Sequence, residues 1–123
     1  MSSDSTPPPP LRVLVTAAGG GLGRVIALRF RAAGAAVVAC DIDGAAIAQV
    51  AQESDDIVGI RADAGIESDV AGVFEMVDRQ LGGLDVLVNN VGVAGPTAAA
   101  EDVTLDQLES CLRANLTSHF LFA

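Results

Sequence analysis

Apolar positions along the chain fall into short unbroken runs that alternate with longer stretches of helical period. The run Leu11-Arg12-Val13-Leu14-Val15 is bounded by prolines before and glycines after, and predicts a buried strand. Beyond a glycine-rich turn, Leu22, Ile26, Phe30 and Ala33 recur at helical spacing, Arg24 and Arg31 lie one heptad apart on another face, and Gly34 ends the helix. A second apolar run, Ala36-Val37-Val38-Ala39-Cys40, ends at Asp41. It is followed by an alanine-rich helical stretch over about residues 44–52 and a third strand over residues 57–61. The clearest helix places Val70, Val73, Phe74, Val77 and Leu81 on one face and stops at Gly82-Gly83. A fourth strand over residues 84–89 leads into a loop rich in Gly, Pro and Ala. Thr104-Leu105-Asp106-Gln107 then reads as a capping box opening a helix with Leu105, Leu108, Leu112 and Leu116. Strictly alternating strands and helices demand an α/β fold with parallel strands joined by right-handed crossovers.

Length and charge narrow the picture. At 123 residues the chain holds one domain at most. Its net charge of −9 opposes nucleic acid and anionic membrane as partners, because both would repel it. No apolar run approaches the ~20 residues of a membrane span. Residues 1–10 carry neither a basic n-region nor an apolar core, so they do not read as a secretory signal. Four successive prolines there predict a flexible to semi-rigid tail, with the folded domain over residues 11–123. Cys40 and Cys111 lack metal-ligand spacing and read as small hydrophobes in a reducing, cytoplasmic setting, and no metal site is expected.

Candidate chemistry concentrates in the first turn, Thr16-Ala17-Ala18-Gly19-Gly20-Gly21-Leu22-Gly23. A strand feeding a glycine-rich turn that opens a helix presents backbone N–H groups and the helix dipole to a pyrophosphate. Asp41, 20 positions beyond Gly21 and at the end of the second strand, is placed to accept hydrogen bonds from adenosine ribose hydroxyls. Asp63 reads locally as a cap for the helix that follows, and Asn89 and Asn90 as a strand-end pair satisfying loop backbone groups.

Taken together, residues Thr16 to Gly23, Asp41, Asp63, Asn89-Asn90-Val91-Gly92 and Asn115-Leu116-Thr117 resemble the N-terminal half of a short-chain dehydrogenase/reductase, over essentially everything from Leu11 to Ala123. That resemblance implies a Rossmann-type parallel sheet of order 3-2-1-4 with helices on both faces, truncated after the fourth strand and its helix. It implies NAD as cofactor, with Gly21, Leu22 and Gly23 facing the pyrophosphate, Asp63 and Ala64 contacting adenine, and Asn90 to Gly92 lining the adenosine side. The implied chemistry is hydride transfer between NAD and a small-molecule alcohol or carbonyl, in a homo-oligomer when complete. Asn115 matches the helix Asn that orders a water in the family's proton relay.

The chain also departs from the family. Ala17 and Val91 stand where the family prefers Gly and Ala, so the turn must take φ < 0 at Ala17 or carry strain there. Family catalysis uses a Ser, a Tyr and a Lys four residues after the Tyr. This sequence has no Tyr, all seven of its basic residues are Arg, and the family's Ser would lie beyond Ala123. The ending inside a helix, at Phe120-Leu121-Phe122-Ala123, favours an inactive N-terminal portion over a stand-alone NAD-binding or interaction module. A third reading, an S-adenosylmethionine-type nucleotide site, is opposed by the Asn89 to Gly92 run. His119 is assigned no role. The order 3-2-1-4 leaves residues 86–88 as an edge, beside which Leu112, Leu116, Phe120 and Phe122 form an apolar helix face.

Overall fold

The computed structural model describes residues 8–123; the expected tail lies outside the described residues except for Pro8, Pro9 and Pro10, which are exposed and without regular structure. Strand β1 (Arg12–Val15) is followed by α1 (Gly21–Ala32), β2 (Ala36–Asp41), α2 (Gly44–Glu53), β3 (Ile57–Arg61), α3 (Glu67–Leu81) and β4 (Val86–Val88). A 3-10 turn at Ala100–Asp102 precedes α4 (Leu105–Leu112), a π-turn (Arg113–Thr117) and α5 (Ser118–Phe122). All strand pairs are parallel in the order β3-β2-β1-β4, as expected for a Rossmann-type sheet. Val13, Leu14 and Val15 of β1 lie opposite Val37, Val38 and Ala39 of β2 on one side and Val86, Leu87 and Val88 of β4 on the other.

The apolar runs are unbroken because both faces of the sheet are covered, and alternate residues serve opposite cores. Val13, Val15, Val37 and Ala39 pack with Ala27 of α1 and Ile47 and Val50 of α2. Leu14, Val38 and Cys40 pack with Val70, Val73 and Val77 of α3 and with Phe122 of α5. Each fully buried valine on α3 removes enough apolar surface from water to contribute roughly 1.5–3 kcal/mol. At the opposite end of the sheet from the glycine turn, Arg12 grips Asp85 through two guanidinium contacts of 3.1 Å each and its backbone N–H.

Several expectations are corrected. In α1 the buried residues are Gly23 and Ala27, with Ile26 and Phe30 half-buried, whereas Leu22 is 67% exposed and Ala33 is exposed. Small residues face the sheet there, so the helix lies close to it, and Leu22 falls on the rim. The fourth strand is only three residues long. The last helix runs from Leu105 to Phe122 with a π segment in its middle, and Leu112, Leu116 and Phe120 are exposed, as expected of an apolar face beside the sheet edge, together with Leu105 and Leu108. Phe122, expected to join that exposed face, is instead buried with its ring 5.8 Å from that of Phe74. Phe122 stands two residues beyond Phe120 in the same helix, roughly 200° around its axis, so the two point to different sides.

Candidate functional site

The C-terminal ends of β1, β2, β3 and β4 converge on one cleft of about 260 Å³. One wall is Ala17, Cys40, Asp41, Ile42 and the Ala62–Gly65 loop; the other is Val91, Ser110, Arg113 and Ala114. In open parallel sheets ligands bind in this position, where strand order reverses on either side of the first strand.

The glycine turn owes its shape to side chains around it. Thr16 is fully buried: its hydroxyl donates to Val88 O at 3.2 Å and accepts from Asn90 N at 2.9 Å, stitching the end of β1 to the loop after β4. Asn90 Nδ2 donates to Ala17 O at 3.3 Å. Ala17 holds φ +50°, so the residue that replaces the family glycine carries the strain. Gly23 sits at the point of closest approach: a Cβ there would lie 2.6 Å from Asn90 Nδ2, and closer still to Ala17 O. Gly21 is different, with φ +53° and no atom within 4 Å of where a Cβ would stand, so its surface is open.

Helix α1 opens bare. Its first turn holds no acidic residue and Gly20 offers no capping side chain, whereas Asp43 caps α2, Thr104 and Gln107 cap α4, and α3 carries Glu67 and Asp69 in its first turn. An uncapped first turn leaves N–H donors and the positive end of the dipole unanswered, which suits an anion.

Asp41 lies against this turn. Its Oδ2 accepts from Gly19 N and its Oδ1 from Asp43 N, each at 2.9 Å. A carboxylate has about four acceptor positions, so both oxygens retain capacity toward the cleft. The neighbouring Cys40 thiol is pushed up to about 12, first by burial and then by the Asp41 charge, so it stays protonated and is no nucleophile. Asp63 does not cap α3, whose N-cap is Ile66. Its carboxylate accepts from Gly65 N at 2.9 Å in a tight Asx turn, and Asp69 Oδ2 holds Asp63 N at 2.9 Å. That turn sets Asp63 and Ala64 on the cleft wall.

Of the Asn90 to Gly92 run, Val91 lines the cleft, Asn90 is turned into the glycine turn, and Gly92 lies against Asn115, whose Oδ1 would sit 3.3 Å from an added Cβ. Asn115 is within the π-turn and clamps Val93: Oδ1 accepts from Val93 N at 2.8 Å and Nδ2 donates to Val93 O at 2.9 Å. Two residues to which the sequence assigned no part are drawn in. His119 Nε2 is 2.7 Å from Val91 O, and Arg113 lines the cleft. The spacing of four between Asn115 and His119 was the available signal for the first. Asn89 donates to His119 O at 3.3 Å, and its own buried Oδ1 has no partner among the described residues.

Comparison with known proteins bears on the fold and the family. An uncharacterised oxidoreductase of Bacillus subtilis is 35% identical over 112 residues, covering 88% of this chain and 43% of that protein. The crystal structure of a 3-ketoacyl-(acyl-carrier-protein) reductase from Brucella melitensis complexed with NADH superposes with a TM-score of 0.86 at 34% identity, over 89% of this chain and 46% of that one. A short-chain dehydrogenase/reductase from Burkholderia phymatum in complex with NAD shares the fold, with a TM-score of 0.87 at 21% identity, over 92% of this chain and 41% of that one. The chain spans less than half the length of the relatives it matches. The family model described as short chain dehydrogenase matches residues 12–123, and the chain belongs to that family.

Proposed function

We propose that this chain is the NAD-binding portion of a short-chain oxidoreductase whose chemistry is hydride transfer between NAD and an alcohol or carbonyl. The observation that carries the reading is the bare N-terminus of α1 beside a carboxylate, Asp41, that already touches the same turn at Gly19 N. The residues fit the cofactor: the pyrophosphate meets the open surface at Gly21 and Leu22 and the N–H of Gly23, the ribose meets Asp41, and the adenine meets Asp63 and Ala64, with Val91 and Gly92 nearby. Bound NAD supplies the hydride acceptor. The protein's part is to bind and orient it.

Asn115 has both ends of its amide engaged by Val93, so in this reading its side chain holds the loop after β4 and positions Val91 against the cleft. With no Tyr and no Lys in the sequence, these 123 residues lack a general acid/base with a cationic neighbour to lower its pKa, and are expected to be inactive alone. The exposed stripe from Leu105 to Phe120 supports association with another copy or a complementary segment.

Calorimetric titration of NAD and NADP tests the reading. A 2′-phosphate ~4 Å from Asp41 would meet repulsion of about 1 kcal/mol in water and about 4 kcal/mol at a surface-like dielectric. NAD is therefore expected to bind severalfold to several hundredfold tighter than NADP. The preference should shrink in Asp41→Ala. Equal affinities in the unmutated chain overturn the placement of Asp41. Cofactor-dependent turnover of an alcohol or ketone well above a Gly21→Val control overturns the expected inactivity.

A further inference from the structure

We infer that Arg113 is an adenine-binding and affinity-determining residue: its guanidinium covers the adenine from the α4 side of the cleft. The inference rests on the NAD reading above and deepens it. Arg113 opens the π-turn and lines the cleft opposite Asp63 and Ala64. Its aliphatic stem lies flat on Gly65, because a Cβ at Gly65 would come within 2.6 Å of Arg113 Cγ and 2.7 Å of its Cδ. That contact fixes where the stem runs along the cleft wall. The head group is uncommitted. Arg12, Arg24, Arg31 and Arg61 pair with Asp85, Glu53, Asp56 and Asp69, whereas Arg113 makes neither an ion pair nor a side-chain hydrogen bond among the described residues.

Beside Gly65, which the Arg113 stem covers, the facing wall presents the small residues Ala62 and Ala64, flanked by the carboxylates of Asp41 and Asp63. A planar aromatic ring seated there has one face on the small residues and its other face toward Arg113. Guanidinium groups favour this arrangement because they are planar, weakly hydrated and attracted to the ring quadrupole. In a chain of net charge −9, the same cation also offsets the two carboxylates that an anionic dinucleotide must approach.

The test is calorimetric titration of the full 123-residue chain and its variants with NAD, AMP and NADP. Arg113→Ala should weaken NAD and AMP by the same factor, roughly three- to thirtyfold, and Arg113→Lys should recover only part of the loss. Its thermal unfolding should match wild type, since the side chain is exposed and makes no polar contact among the described residues. Gly65→Ala pushes the stem away and should weaken NAD on its own, yet add little in the Arg113→Ala background. Unchanged affinity in Arg113→Ala alongside a loss in Asp41→Ala overturns the inference and leaves the NAD reading standing. A loss confined to NADP also overturns it, by placing Arg113 on a 2′-phosphate. Failure of the unmutated chain to bind NAD or AMP defeats the NAD reading, and the inference with it.

Discussion

Gly23→Ala puts one methyl group where the fold has no room. The added carbon would stand 2.6 Å from Asn90 Nδ2 and 2.9 Å from the carbonyl carbon of Ala17, with Ala17 O nearer still. Ordinary contact distances begin at 3.4 Å, so the overlap is ~0.8 Å or more against backbone that β1 and Thr16 hold in place. Overpacking of this kind costs about 1–3 kcal/mol. Moving Asn90 aside loses its bond to Ala17 O, a further 0.5–1.5 kcal/mol or so. Ala is a better helix former than Gly by about 1 kcal/mol, which offsets part of the loss. The net expectation is destabilisation of about 1–3 kcal/mol, read as a lower urea midpoint by circular dichroism with an unchanged slope. Gly72→Ala is the matched control, because Gly72 lies inside α3 with nothing within 4 Å of its Cβ position. There only the propensity gain remains, and stability should rise by up to about 1 kcal/mol. If both substitutions shift the midpoint in the same direction, the account of Gly23 as a packing glycine fails.

Ala17→Gly should stabilise by a few tenths to about 1 kcal/mol, since relief of a left-handed φ exceeds the added chain entropy; a lower melting temperature would contradict strain at that residue. Asn115→Asp turns a donor facing Val93 O into an acceptor and should cost about 1–3 kcal/mol, seen as faster proteolysis within residues 89–99; unchanged cleavage would remove the clamp. Cys40 should resist iodoacetamide at pH 8 while half-buried Cys111 reacts. Because the folded Cys40 thiol titrates above its unfolded counterpart, its contribution is fully present below about pH 9 and is lost as pH rises toward 12; a Cys40→Ala variant with the same alkaline midpoint would contradict this. Asp85 is held below the usual carboxylate range, first by the Arg12 side chain and then by its backbone N–H. Its contribution is present above roughly pH 4 and is lost as pH falls through the depressed value, so melting curves of wild type and Asp85→Asn should converge in acid; parallel curves would refute the pairing.

The sheet was legible because burial on both faces writes itself as unbroken apolar runs, and every strand stands within two residues of its expected bounds at either end. Asp41 was legible for the same reason: a charged residue closing such a run must lie at the sheet's edge toward solvent. The stretch over residues 105–123 was not. Leucines at 105, 108, 112 and 116 keep a helical period whether the stripe is buried or bare, and the period says nothing about what covers it. The π-turn is equally silent in the sequence, because it is fixed by tertiary bonds, Asn115 to Val93 and His119 to Val91, whose acceptors are backbone atoms of no particular residue type. The conformation at Ala17 belongs to the same class. Its φ is imposed by Thr16, Asn90 and Gly23 around it, against its own preference.

The two walls of the cleft are therefore held with unequal strength. The Asp41 wall is continuous with the core of β1, β2 and β3, and its loop is pinned by Asp69. The wall carrying Arg113 belongs to a segment in which α4 buries no residue and the π-turn none either; Ser118 and Phe122 of α5 are buried, and Leu121 packs partly buried against the core. That segment is tied to the loop after β4 by Asn115 and His119, which bond backbone atoms of Val93 and Val91, and by the Asn89 side chain, which donates to His119 O. Segments with few buried apolar contacts open at the low end of a protein's stability range. A ligand bridging the cleft must order this wall as it binds, and that cost is subtracted from its affinity. If a contact that covers the stripe of Leu105, Leu108, Leu112 and Leu116 steadies this wall, occupancy of the stripe and occupancy of the cleft should favour each other by the same factor.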